Sequence, residues 1–224
     1  MQKSSHIKKI TVIGLMTALA YVCMFVFRIK VSFLTFDAKD AVIAIASLIY
    51  GPVWGGITAI LVPVLEFFTV SDTGVYGLIM NSLSSVTFAV VCGSIYKYKR
   101  NFNGAIFGVV ASAFAVTAVM MVANLFITPL FMKVPREVVV GMLLPMLLPF
   151  NAIKATLNAA LTLAFYKPFT TALRQAKLLP KSEVAYRMSK KSLALLLLSL
   201  LVVVAAVVTM LLVLPGEFQL FRQL

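Results

Sequence analysis

The chain contains few of the residues on which metal sites and active sites are usually built. Only 12% of its 224 residues are charged, and it has one histidine and two cysteines. His6 lies alone in a basic tail, and Cys23 and Cys92 lie in separate apolar runs, where packing is their best interpretation. The acids are scattered singly, and no phosphate-binding loop motif is present. These shortages disfavour an intramembrane enzyme, predict no metal site, and imply that a partner must use any ATP.

Apolar residues dominate what remains. Hydrophobic residues make up 62% of the chain, the mean hydropathy is +1.03, and several runs exceed the roughly 20 residues that span a bilayer. The sequence therefore predicts an all-α polytopic membrane protein. The net charge of +13 lies in short loops between apolar runs, which is the pattern of cytoplasmic membrane loops and not of nucleic-acid binding.

The apolar runs predict six spans within residues 1–178, at about 10–27, 41–50, 53–69, 78–96, 105–128 and 145–168. We expect loops at 28–40 and 130–141. A basic cytoplasmic linker at 179–191 follows, then a seventh transmembrane helix at 192–214 and a short tail at 215–224. The distribution of lysine and arginine predicts a cytoplasmic N-terminus, and seven crossings would place the C-terminus outside.

Three polar residues interrupt the sixth span. Asn151, Lys154 and Asn158 follow at i, i+3 and i+7, so they share one face of a helix. A lysine at membrane depth costs about 2.5–3.5 kcal/mol and usually faces a partner or a cavity. A lysine that reaches to the interface is the simpler alternative. We interpret this face as the wall of a polar pocket, in which Lys154 would donate to a ligand and Lys154→Met would leave folding intact.

Polar residues of four other spans fall in the same outer half of the membrane. Under the predicted orientation these are Asp40, Glu66, Asn81 and Asn124, and with Asn151 and Lys154 they predict one outward-facing site for a small, largely neutral ligand. Asp40 could instead cap the second helix. Three aromatic residues could stack on a flat ring or simply pack against lipid or core; they are Phe67, Phe68 and Tyr76.

The first span carries a pair of small residues, Gly14 and Ala18, with Ala20 close by. Small residues four apart allow a second helix to approach closely. Two interpretations stay open: packing within this chain, or a docking face for a separate membrane subunit.

Several segments between residues 8 and 177 resemble the substrate-binding S components of energy-coupling-factor (ECF) vitamin transporters, specifically the riboflavin-type branch. They are FDAKDAV at 36–42, LIYGP at 48–52, MNSLSS at 80–85, IYKYKR at 95–100, ANLFITPLFM at 123–132 and LLPFNAIKATLN at 147–158. The last segment is the most specific.

The resemblance implies a six-helix subunit of a bacterial plasma membrane that captures a vitamin from outside. Riboflavin or a related flavin is expected, and another vitamin or small precursor is the alternative. It implies that Asn81, Asn124, Asn151 and Lys154 contact the ligand, and that no cofactor is bound apart from it. Partners would be a membrane coupling subunit, met by Gly14 and Ala18, and two cytoplasmic ATPases, with the whole S component toppling to release its cargo. Outside this resemblance, a membrane scaffold is the remaining alternative.

Overall fold

The computed structural model describes residues 2–31 and 33–179, together with eight scattered positions between 194 and 208, all of them helical. Most of the predicted linker, the seventh span and the tail therefore lies outside the described residues.

The described chain is almost entirely helical. In order, the elements are α1 (Gln2–Val26), β1 (Ile29–Val31), β2 (Leu34–Phe36), α2 (Lys39–Tyr50), α3 (Pro52–Thr69), α4 (Gly74–Tyr98), α5 (Phe102–Met132), α6 (Arg136–Met142), a π-helical turn (Leu143–Leu147) and α7 (Leu148–Gln175). Within the described residues, five helical stretches are long and apolar enough to cross a membrane: 7–26, 52–69, 74–98, 103–132 and 136–175. The predicted all-α membrane fold is confirmed, and the six predicted spans correspond to α1–α5 and α7.

Two predicted loops contain regular structure. The loop at 28–40 includes an antiparallel hairpin, in which Ile29 pairs with Phe36 and Val31 with Leu34. The loop at 130–141 includes α6, which continues through the π-helical turn into α7. Pro145 and Pro149 lie in this region, and neither can donate a backbone hydrogen bond, so the regular helical ladder is interrupted without ending.

Helix α2 is the centre of the bundle. Every residue from Lys39 to Leu48 is buried, and α1, α3, α4 and α7 all pack against this helix. At 12 residues it is about 18 Å long, too short to cross a bilayer by itself. Its apolar side chains, such as Ile43 and Ile45, join a core with Met16 of α1 and Val62 of α3. The polar N-terminus of α2 is consequently held deep inside the protein.

Helices α3 and α4 approach α2 closely at Ser47. This side chain donates a hydrogen bond to the carbonyl oxygen of Ala89 at 2.6 Å. A Cβ atom added at Gly55 of α3 or at Gly93 of α4 would overlap Ser47. Both glycines are therefore required for the contact between α2, α3 and α4.

We predict that Gly55→Ala lowers the stability of the folded protein, by about 1–3 kcal/mol, because the added methyl group overpacks the contact with Ser47. Gly56→Ala is the matched control. A Cβ there meets only Val90 at 3.6 Å, so the better helix propensity of alanine should make this change neutral or stabilising. Thermal unfolding of the purified proteins in detergent would compare them. Equal melting temperatures for the two variants would contradict the close packing.

Candidate ligand-binding site

A cavity of about 320 Å³ lies between the hairpin and one end of α3, α4, α5 and α7. Small-molecule sites in proteins typically enclose about 300–1,000 Å³. Of the six predicted site residues, five line this cavity: Glu66, Asn81, Asn124, Asn151 and Lys154. The structure thus brings together polar residues from four helices that are far apart in the sequence. Their contact with a ligand stays a prediction.

A chain of buried ion pairs supports one wall of the cavity. Asp37, which follows β2, accepts from Lys154 Nζ at 2.8 Å and lies 3.6 Å from Lys39 Nζ. Lys39 in turn donates to Glu66 at 2.6 Å, and Glu66 also accepts from the amide of Asn81 at 3.1 Å. Two cavity residues, Lys154 and Glu66, are therefore neutralised by partners that do not line the cavity.

Lys154 is consequently not the unpaired donor that the sequence suggested. Besides Asp37, its ammonium group donates to the carbonyl oxygen of Thr35 at 3.0 Å. The side chain is only 11% exposed, so it neither reaches to the interface nor points freely into the cavity. Lys154→Met was expected to leave folding intact. The structure leads to the opposite expectation, because this change would leave the buried Asp37 without its closest cationic partner.

Asp40 is the one predicted site residue that does not line the cavity. It is buried between α2 and α4, where its carboxylate accepts from Ser85. It also does not cap α2, since the N-cap residue is Ala38 and has no side-chain capping bond. Asn158 of α7 takes that role: its Oδ1 accepts from the backbone N–H of Ala41 at 2.8 Å, and its Nδ2 donates to the carbonyl of Asp37 at 2.9 Å. Asn158 therefore supports α2 and does not line the cavity.

Asn124 and Asn151 face the cavity from α5 and α7. Asn124 donates to the carbonyl of Met120 and accepts from Thr128, both at 2.7 Å. Asn151 donates to the carbonyl of Leu147, at the end of the π-helical turn, also at 2.7 Å. Its Oδ1 has no partner among the described residues, so this amide oxygen can accept a hydrogen bond from a ligand.

Aromatic side chains supply part of the apolar lining of the cavity, beside aliphatic residues such as Leu34 and Ile127. Phe131 lies 6.1 Å from Phe33 and 6.2 Å from Tyr76 between ring centroids, and Phe150 lies 4.3 Å from Phe36. Of the three aromatic residues that could have stacked on a ligand, only Tyr76 lines the cavity. Phe67 and Phe68 pack against each other outside it, and Phe68 is 78% exposed.

Comparison with known proteins decides the family. A family model described as "ECF transporter, substrate-specific component" matches residues 8–166. This chain belongs to that family. As a member, it is a substrate-binding transport subunit and not an enzyme. The S component is also similar to the riboflavin transporter RibU of Staphylococcus aureus (strain TCH60), with 26% identity over 179 residues, covering 75% of this chain and 93% of RibU. A solved structure of the S component of a bacterial ECF transporter matches with a TM-score of 0.63 and 25% identity, over 78% of this chain and 99% of that one.

Three charged residues at the mouth of the S component's cavity were not identified by any pattern in the sequence. Arg28 precedes the hairpin and Lys30 lies in β1, and both approach Asp72 in the connection between α3 and α4. The hydrogen bond from Lys30 holds the pKa of the Asp72 carboxyl below its usual range. Arg28 also donates to the carbonyl of Val70 at 3.0 Å, while its buried Nε has no partner among the described residues. In the sequence, Arg28 and Lys30 counted only as basic residues on the outer side.

Helix α1 presents Gly14 and Ala18 on the surface of the S component. Both residues are exposed, and a Cβ added at Gly14 would meet nothing within 4 Å. The opposite face of α1 carries the internal packing, including Met16 and the fully buried Ala20. Among the described residues, nothing packs on the face that Gly14 and Ala18 share, and a docking role for this face stays a prediction.

We predict that Lys154→Met destabilises the S component by about 3–5 kcal/mol, because it leaves Asp37 buried with a weaker ion pair only. The double variant Asp37→Asn with Lys154→Met should regain much of this loss, since no charge is then stranded. Lys30→Met is the control: it breaks an exposed ion pair with Asp72, so it should change the stability little. Chemical unfolding in detergent would measure all three, and wild-type stability of Lys154→Met would refute the role of this pair.

Proposed function

We propose that this S component captures riboflavin or a related flavin from the outer side of the bacterial plasma membrane. Two findings support the proposal. The similar protein from Staphylococcus aureus is a riboflavin transporter by name. The cavity combines aromatic walls with amide groups, and this combination carries the proposal because it fits a flat ring with a polar edge.

The electrostatics of the cavity favour a neutral ligand. Its buried charges, Lys154 and Glu66, are each paired with a residue of opposite sign behind the wall. A strongly charged ligand would have to disrupt these pairs or enter without compensation, and either is costly in a buried site. Neutral donors and acceptors would instead meet groups such as the amides of Asn151 and Asn81. The ring carbonyls and ring nitrogens of an isoalloxazine are groups of this kind.

The charge of the bundle's ends indicates its orientation, and the orientation indicates where partners would act. We propose a cytoplasmic N-terminus, because the end of the bundle opposite the cavity is basic. Its lysines and arginines are Lys97, Lys99, Arg100, Arg174 and Lys177. A membrane coupling subunit would dock on the exposed face around Gly14 and Ala18, and two cytoplasmic ATPases would supply the energy. The cavity then opens on the outer side, where a vitamin is first met.

We expect Asn151→Ala to weaken riboflavin binding about tenfold to a hundredfold, because a donor on the ligand would lose its acceptor in a site shielded from water. Asn124→Ala should act in the same direction. Asn103→Ala is the control, since this asparagine is exposed at the opposite end of α5. Fluorescence quenching of riboflavin titrated with each purified protein gives the affinities. Unchanged affinity for both cavity variants, with wild-type melting temperatures, would refute the proposed site.

Docking can be separated from binding on helix α1. Ala18→Leu should leave riboflavin affinity unchanged and abolish riboflavin uptake by cells, because only the exposed face is altered. Ala118→Leu, at an exposed alanine of α5, tests whether any bulky residue in the lipid-facing surface has the same effect. Equal loss of uptake in both variants would argue against a docking face on α1.

A further inference from the structure

A second and larger cavity lies at the opposite end of the bundle. Its volume is about 680 Å³, and its walls come from the turn between α2 and α3, the last turns of α4 and the second half of α7. It shares no lining residue with the ligand cavity. The transport function described above makes no use of it.

The charged side chains that the described residues contribute to this cavity are all cationic. They are Lys97, Arg100 and Arg174, and no described aspartate or glutamate lines the cavity. In the part of the chain that the structure describes, none of these three cations has a carboxylate within 4.0 Å. Three unneutralised cations from two helices and an adjoining turn, gathered around one concave surface, favour an anionic ligand. Arginine is particularly suited to phosphate because its planar donors match the phosphate oxygens.

The remaining lining is amphipathic. The hydroxyl groups of Tyr96 and Tyr166 lie 2.9 Å apart and supply polar groups beside the cations. Half-buried Trp54 and Tyr50 are residue types typical of the membrane interface. Apolar walls are formed by residues such as Leu48 and Leu179. A free phosphate ion would gain nothing from these apolar walls, whereas the glycerol and first acyl carbons of a lipid would.

We propose that this cavity binds the phosphate group of an anionic phospholipid of the cytoplasmic leaflet. Basic pockets between transmembrane helices on the cytoplasmic side are a recurrent way to hold such headgroups. The phosphate contacts Arg100, Arg174 and Lys97 at the rim, and the lipid's apolar part lies against the inner walls. The assignment to the cytoplasmic leaflet rests on the proposed function, in which the N-terminus is cytoplasmic. The preference for a phosphate group follows from the lining residues and does not depend on that orientation.

The test is a lipid titration of the full chain in detergent, followed by native mass spectrometry. The probes are phosphatidylglycerol, phosphatidylcholine and inorganic phosphate. The double variant Arg100→Gln with Arg174→Gln should weaken phosphatidylglycerol binding about 25-fold, at about fivefold for each cation removed. The control pair, Lys99→Gln with Lys177→Gln, removes the same charge from the same end but lies outside the cavity lining, and should change binding less than about twofold. Arg100→Lys with Arg174→Lys keeps the charge and should retain most of the binding.

Three results would overturn the proposal: equal weakening by the cavity pair and the control pair, equal binding of phosphatidylcholine, or full displacement of the lipid by inorganic phosphate at equal concentration. Melting temperatures identify a variant that has lost its fold. If the glutamine variant of Arg100 and Arg174 has done so, Arg100→Lys with Arg174→Lys takes its place in the comparison with the control pair. Riboflavin affinity is measured in parallel and should be the same in every variant, because its cavity is at the other end. A chain that binds the lipid but no riboflavin would contradict the proposed function alone.

Discussion

The arrangement around the ligand cavity depends on the ion pair between Asp37 and Lys154. It joins the end of the hairpin to α7, and through Lys39 and Glu66 it extends to α3. Buried charges are costly to leave unpaired, so each member of this chain fixes the position of the next. The cavity is therefore shaped before a ligand arrives. A preorganised site loses less free energy in ordering its side chains on binding.

The core separates the ligand cavity from the second cavity, which is lined by Lys97, Arg100 and Arg174. Phe88, Val116 and Ala155 fill the bundle between the two ends, and Ser47 is closely packed against Gly55 and Gly93. A ligand could pass from one end to the other only if these helices moved apart. Movement of the whole bundle relative to the membrane would avoid that disruption. The toppling that the sequence resemblance implies is a movement of this kind, and it stays a prediction.

Much of the architecture could be predicted from hydropathy and helical periodicity alone. The long apolar runs gave the spans, and the shared face of Asn151, Lys154 and Asn158 indicated a polar wall in α7. The partner of Lys154 could not be predicted, because Asp37 lies 117 positions away and no local pattern links them. The hairpin and α6 were missed for a related reason. Both are short, and α6 begins directly after Pro135, where charge and proline indicated a loop.

A lysine inside an apolar run therefore shows that a partner exists, and it does not show which partner. In this S component the partner of Lys154 belongs to the chain itself, as does that of Glu66. The groups with hydrogen-bonding capacity left over are neutral amides, such as Oδ1 of Asn151, and the Nε of Arg28. The charged residues thus position the walls of the cavity, and its selectivity falls to the residues that they hold in place. In this protein, ligand contact is therefore expected at the polar residues with unused hydrogen-bonding capacity, and not at the charges that are already paired.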